Sequence, residues 1–310
     1  IILQSVVSDW KPAFTNYFKP GTGYLGGNFF YSDPQSFCIR HTQEDELSEI
    51  MSEDDIPCPR GLENSICTFL IVCAHKKLNG ESNCNFMIHP SSRINVHQRF
   101  KEIVDAHLNL LQRSTDDSGF DETLKLMWID LQRTKPDLEP YEDIKEAVIQ
   151  LLNNEELIVI PLNSKSFVCR DSNDPNALDL GKGFNIVVGG NTLGRGITFP
   201  HLQVVYYCRS SKKPQADTFW QHSRIFGYDR EADLVRIYIP ESLYKLFAEL
   251  NKANEIIVKQ VESGIDTCQI IYPNNIVPTR KNVLDLNYLN VLSGGVNYFP
   301  NDPIRNNTKA

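Results

Sequence analysis

Residues 184–200 read FNIVVGGNTLGRGITFP. An apolar run, Phe184 to Val188, enters a glycine-rich turn, and a second apolar run follows at residues 202–208. Neither run alternates polar with apolar residues, and both are rich in branched and aromatic side chains, the pattern of strands buried on both faces. Working outward, residues 85–89 form a short apolar run before a polar turn, PSSR. A stretch follows in which Val96, Phe100, Val104, Leu108 and Leu111 share one helical face. Residues 156–162 and 234–239 read as further strands, and residues 121–132, 141–153, 217–226 and 241–259 as helices. Strands alternating with helices predict an α/β fold with a mainly parallel sheet and helices on both faces.

The flanks are less regular. Residues 1–60 are rich in Gly, Pro, Asn and aromatics and predict irregular structure with short strands. From Gly61, the spacing of Leu62, Ile66, Phe69, Leu70 and Cys73 predicts one amphipathic helix. The expected division is an N-terminal extension over 1–80, a lobe over 81–258 and a C-terminal tail over 259–310 packed on it.

At 310 residues and 41% hydrophobic content, the chain can bury a full core. Its net charge of −8 excludes a broadly basic nucleic-acid binder but not a local groove. Glu44, Asp45, Glu46, Glu49, Glu53, Asp54 and Asp55 form an acidic run that reads as a solvated loop. The basic residues Arg209, Lys212, Lys213, Arg224 and Arg230 gather near the segments discussed next. No apolar run approaches the ~20 residues that cross a bilayer. The first residues carry neither an initiator Met nor the features of a signal peptide, so a piece of a longer cytoplasmic protein is expected. Eight cysteines include no CxxC pair, which favours free thiols over zinc or disulfides.

In open α/β sheets the functional crevice lies beyond the carboxyl ends of the strands, which places the glycine-rich turn well. Gly189 to Gly194 followed by Arg195 approaches the phosphate-cradling GxxxxGK[ST] loop. Yet Arg195 replaces the lysine, Gly196 the hydroxyl residue, and Pro200 with a new strand replaces the helix whose N-terminus would hold phosphate. Taken alone, the loop reads equally as a turn serving only backbone geometry. A second segment adds weight: Asp217, Gln221 and Arg224 fall at i, i+4 and i+7 on one face of the expected helix. Phe219, Trp220, Ile225 and Phe226 would anchor that helix, and Arg230 offers another guanidinium suited to phosphate just beyond Gly227. Alone, such a Gln/Arg face reads as solvated surface.

Together these residues resemble superfamily II helicases. GGNTLGRGITFP (189–200) looks like their fifth motif, and WQHSRIFGYDR (220–230) looks like the sixth, whose arginines reach the ATP γ-phosphate across the cleft between two lobes. The similarity is closer still to the Z-one (Z1) domain family, the so-called endonuclease domain attached to such helicases in bacterial restriction and defence loci. It extends to GYLGGNFF (23–30), FMIHPSSR (86–93) and IVPTRKNVLD (276–285). The resemblance implies a RecA-like second motor lobe. Arg224 and Arg230 would be arginine fingers, with Gln221 orienting the first. Gly194, Arg195, Gly196 and Asp217 would face ATP, and Ser91, Ser92, Arg93, Asn191 and Thr198 the nucleic acid, DNA rather than RNA. Thr198 stands where general helicases often keep Asp. ATP and Mg2+ would be held mainly by an N-terminal lobe of the same polypeptide, with a nuclease or methylase of a defence system as a further partner.

Two other classes compete. A metal-dependent endonuclease needs paired carboxylates with a lysine, for which Asp137, Asp143 and Lys145 are the best set. Their spacing is too short for two adjacent strands, and PDLEPYEDIKEAVIQLL reads as a helix start with acids at its N-terminus. A non-catalytic nucleic-acid-binding adaptor would keep the fold without a working cleft. His89, Trp10 and Trp128 read as packing residues and His222 as a bystander. Arg280 and Lys281 read equally as a contact or a surface turn.

Overall fold

The computed structural model describes residues 16–32, 36–52, 56–115, 117–162, 179–190, 199–208, 223–264, 271–272 and 292–293. Six strands build one sheet: β1 (Ile39–Thr42), β2 (Asn83–His89), β3 (Leu157–Leu162), β4 (Gly183–Gly189), β5 (Leu202–Tyr207) and β6 (Arg236–Pro240). Every pairing is parallel and the order is β1-β6-β5-β2-β4-β3. Central β2 and β5 are buried along nearly their whole length, which explains why neither alternates in sequence. Gln203 is an extra residue where the β2–β5 register shifts, a bulge at the start of β5.

Helices cover both faces, as a RecA-like α/β lobe requires. On one face lie α3 (Arg60–Leu78), α4 (Ile94–Arg113), α5 (Ser118–Gln132) and α6 (Tyr141–Asn153), packed on Phe86, Ile88, Ile186, Val204 and Tyr206. On the other, α1 (Gly27–Tyr31) and α7 (Glu241–Glu262) pack on Met87, Val187, Val205, Ile237 and Ile239. The chain also forms α2 (Glu46–Ile50) and a small parallel pair, β7 (Ile271–Tyr272) with β8 (Leu292–Ser293).

Three sequence expectations change here. Helix α3 is buried almost all round rather than along one stripe, because α5, α6 and β5 surround it. Its polar residues are paired: Thr68 Oγ1 lies 2.6 Å from Tyr238 Oη, and Lys76 meets Glu81 at 2.9 Å and also Glu231. The stretch before Gly61 contributes β1 to the main sheet, in parallel register with β6. Within the acidic run, Glu46 is buried, contrary to a wholly solvated loop. Its carboxylate accepts the Gly61 N–H at 2.8 Å and the Tyr206 hydroxyl at 2.6 Å, so it neutralises the positive start of α3. A Cβ on Gly61 would lie 2.5 Å from that carboxylate, and only glycine leaves it room.

The β1–β6 edge is locked by charge. Arg236, fully buried, donates from Nε to Asp130 at 3.0 Å and from Nη2 to the Asp130 carbonyl and Thr134 Oγ1. Arg40 reaches the same carboxylate at 2.9 and 2.5 Å. Two guanidiniums on one carboxylate tie α5 to edge strand β1 and to its neighbour β6.

Candidate nucleotide and nucleic-acid rim

All six strands point the same way, so their carboxyl ends share one rim. There, β2 ends at His89 and the chain turns through residues 90–93 into α4. Ser91 is half-buried, Ser92 and Arg93 are exposed, and the Arg93 N–H donates to Ser91 Oγ at 3.3 Å. The turn is held from below: buried His97, one turn into α4, lies with Nε2 2.7 Å from the Ser91 carbonyl. A carbonyl only accepts, so this contact requires the Nε2–H tautomer.

The glycine loop leaves β4 against this turn. A Cβ on Gly190 would fall 2.2 Å from the Ser91 carbonyl oxygen, 2.8 Å from His97 Nε2 and 2.9 Å from Ser92 Cα. Gly190 is therefore glycine for close backbone approach. The serine turn and the root of the glycine loop, read separately in the sequence, touch at the rim. Asn191, Gly194, Arg195, Gly196 and Thr198 lie outside the described residues, as do Asp217, Gln221, His222, Trp10, Arg280 and Lys281.

Beside them, the His89 and Tyr207 rings stand 5.8 Å apart at the ends of β2 and β5. His89 is buried, as a packing residue should be. Burial holds the Tyr207 hydroxyl above its ordinary range, and the nearby Arg224 guanidinium pulls it the other way. Arg224 itself is half-buried, and that burial lowers its pKa while the guanidinium stays charged. Residues 223–226 form a turn, so the helix expected over 217–226 does not reach its predicted end.

Arg230 sits differently. It is buried, with Nε donating to the Ile225 carbonyl and Nη2 to the Arg224 carbonyl, both at 2.9 Å, and Nη1 paired with Asp229. Its guanidinium closes the turn that carries Arg224. The sequence singles out both arginines by residue type, but the different settings of the two depend on backbone carbonyls that no side-chain pattern reveals. Sequence reasoning missed His97 and Tyr207. Gly190 stood inside the quoted loop, yet its reason for being glycine is a partner about 100 residues away in sequence.

The acids weighed for a nuclease are dispersed. Lys145 pairs with Asp121 at 2.6 Å, and exposed Asp137 meets Lys135 at 3.3 Å. Among the described residues no group of three or more His, Cys, Asp and Glu could hold a metal ion. Six described cysteines are free thiols; Cys169 and Cys268 lie outside the described residues. Trp128 packs beside Tyr141 and donates to the Glu139 carbonyl at 2.9 Å. No described helix is long and apolar enough to cross a membrane.

No curated protein sequence matches the chain. A family model does: the Z1 domain model matches residues 61–278, well over half of the 310 residues. That span runs from the buried start of α3 through the serine turn, the glycine loop and the arginine turn. On that match, the chain belongs to the Z1 domain family.

Proposed function

We propose that this chain is the second motor lobe of a superfamily II ATP-dependent helicase or translocase acting on nucleic acid, DNA rather than RNA, within a cytoplasmic restriction or phage-defence system. ATP and Mg2+ are held mainly by a first lobe in the same full-length polypeptide, and this lobe supplies Arg224 to the transferring phosphoryl group. Phosphoryl transfer is accelerated chiefly by positioning and charge stabilisation, and an arginine delivered from a second lobe provides both. Gln221, Arg195 and Asp217 complete the nucleotide-facing set, while Ser92 and Arg93, exposed where α4 begins, suit backbone phosphate.

One observation carries this reading: half-buried Arg224 lies beside Tyr207, at the carboxyl end of β5, on a turn closed by buried Arg230. A solvated surface arginine has no need of a second, buried arginine bonded to its own carbonyl. The test is ATP turnover by the two-lobed polypeptide. Arg224→Ala should lower kcat roughly 1,000-fold, the scale of a lost arginine finger, with ATP binding retained. Unchanged turnover would sink the assignment, as would ATP hydrolysis by the isolated chain.

A further inference from the structure

We propose that the glycine-rich segment 21–31 is a positioning strut for the arginine turn, so that Leu25 and its neighbours tune catalysis without touching nucleotide. The inference rests on the reading of Arg224 given above. Leu25 and Gly227 exchange both backbone hydrogen bonds, N–H to carbonyl at 2.9 Å and 3.1 Å, in an isolated antiparallel bridge. That bridge sits three residues beyond Arg224. Phe30, fully buried, stacks on Phe226 with centroids 5.7 Å apart and planes 8° from parallel. At the outer end, the Gly21 N–H donates to the Tyr228 hydroxyl at 2.9 Å, and the Tyr24 ring stands 5.0 Å from that of Tyr228.

The strut is itself anchored. A Cβ on Gly27 would fall 2.1 Å from Asn251 Oδ1, so the segment passes hard against α7, and Asn251 Nδ2 donates to Asn28 Oδ1 at 3.1 Å. Helix α7 thus holds residues 27–28, these hold Phe226 and Gly227, and those hold the backbone that aims Arg224. The far end of the turn is fixed separately, by the His201 N–H donating to Asp229 at 2.8 Å and by the Arg230 contacts. A segment serving only to cover the apolar face would need the Phe30 ring but not the reciprocal bridge to a glycine.

Amide exchange and turnover test this together in the two-lobed polypeptide. Leu25→Pro deletes the N–H that enters the bridge. Exchange at residues 224–228 should accelerate at least about tenfold while residues 83–89 and 183–189 keep their protection. The kcat should fall ~10–100-fold with KM for ATP unchanged, the cost of about an ångström of misplacement. Combined with Arg224→Ala it should cost nothing further, because both changes remove one interaction. Should Leu25→Pro fail to fold, Tyr228→Phe, which removes only the hydroxyl at Gly21, should accelerate the same amides about threefold. Unaltered exchange at 224–228, unaltered kcat despite faster exchange, or full additivity with Arg224→Ala each overturns the strut. Normal turnover by Arg224→Ala alone overturns the motor reading instead, and the exchange arm then decides the strut by itself.

Discussion

The two faces of the sheet are closed by different means. One is sealed by four helices, α3 to α6, whose apolar residues interlock around largely buried α3. Among the described residues, the other is covered by α7, with short α1 and two non-helical segments, 21–26 and 223–230, joined by one backbone bridge, the Gly21–Tyr228 hydrogen bond and aromatic contacts. A helix satisfies its own backbone, so the first face is secure wherever side chains pack. Irregular segments must find partners elsewhere for each N–H and carbonyl, and here they find each other. The candidate arginine turn sits on the second face. The arginine proposed to meet nucleotide is carried by backbone that is held from several sides, whereas residues that merely pack are carried by helices.

The comparison breaks most sharply at the clamp on the helical face. Asp130→Ala leaves fully buried Arg236 and partly buried Arg40 without their shared carboxylate. Removing one partner of a buried ion pair costs ~3–5 kcal/mol, because the stranded cation cannot be resolvated in place. The denaturant midpoint should fall accordingly. A loss no larger than that of an exposed ion pair would show the β1–β6 edge to be dispensable to the helical face.

Acid should weaken the same face before the other. His107, on α4, is buried, its Nε2 finds no hydrogen-bond partner among the described residues, and burial lowers its pKa from 6.5 to about 4. The folded state therefore holds it neutral while the unfolded chain protonates it near its ordinary pKa. Between those two values the unfolded state binds more protons, so stability is intact above about pH 6.5 and is lost as pH falls toward 4. The full difference amounts to roughly 3 kcal/mol. In His107→Leu this window should flatten in urea titrations at graded pH. An unchanged slope would place the acid sensitivity elsewhere.

The same contrast explains how much the sequence disclosed. Residues 141–153 were predicted as a helix and form one over that same span, because Ile144, Val148 and Leu151 mark its buried side against solvated acids. Central strands were equally legible as continuous apolar runs. Strand β1 was not: Ile39–Thr42 contains Arg40 and His41, and its place in the sheet depends on pairing with β6 almost 200 residues away. Glu46 was misread with its acidic neighbours, since its burial follows from Gly61 and Tyr206 rather than from local composition. At the rim, Arg224, Arg230 and the serine turn could be singled out by residue type. What each does could not, because the partners are carbonyls of Ile225, Arg224 and Ser91. Hydrophobic period reports burial; it is silent on which main-chain oxygen a guanidinium or imidazole will find.

The smallest expected effect is the most discriminating between the faces. Arg230→Lys keeps a positive charge but exchanges a planar fork for a single ammonium, which can serve the Ile225 or the Arg224 carbonyl but not both in the same geometry. One buried acceptor is then left short, at a cost of ~1–2 kcal/mol. Because residues 223–230 are joined to the rest through local contacts rather than through the interlocked helices, that cost should appear as local opening. Exchange at residues 225–228 should quicken while the amides of β2 and β4 change little, and the global midpoint should move less than the local protection does. If instead every amide shifted by the same factor, the arginine turn would unfold only with the whole molecule. The second face would then be as cooperative as the first, and the distinction between aimed and packed backbone would fail.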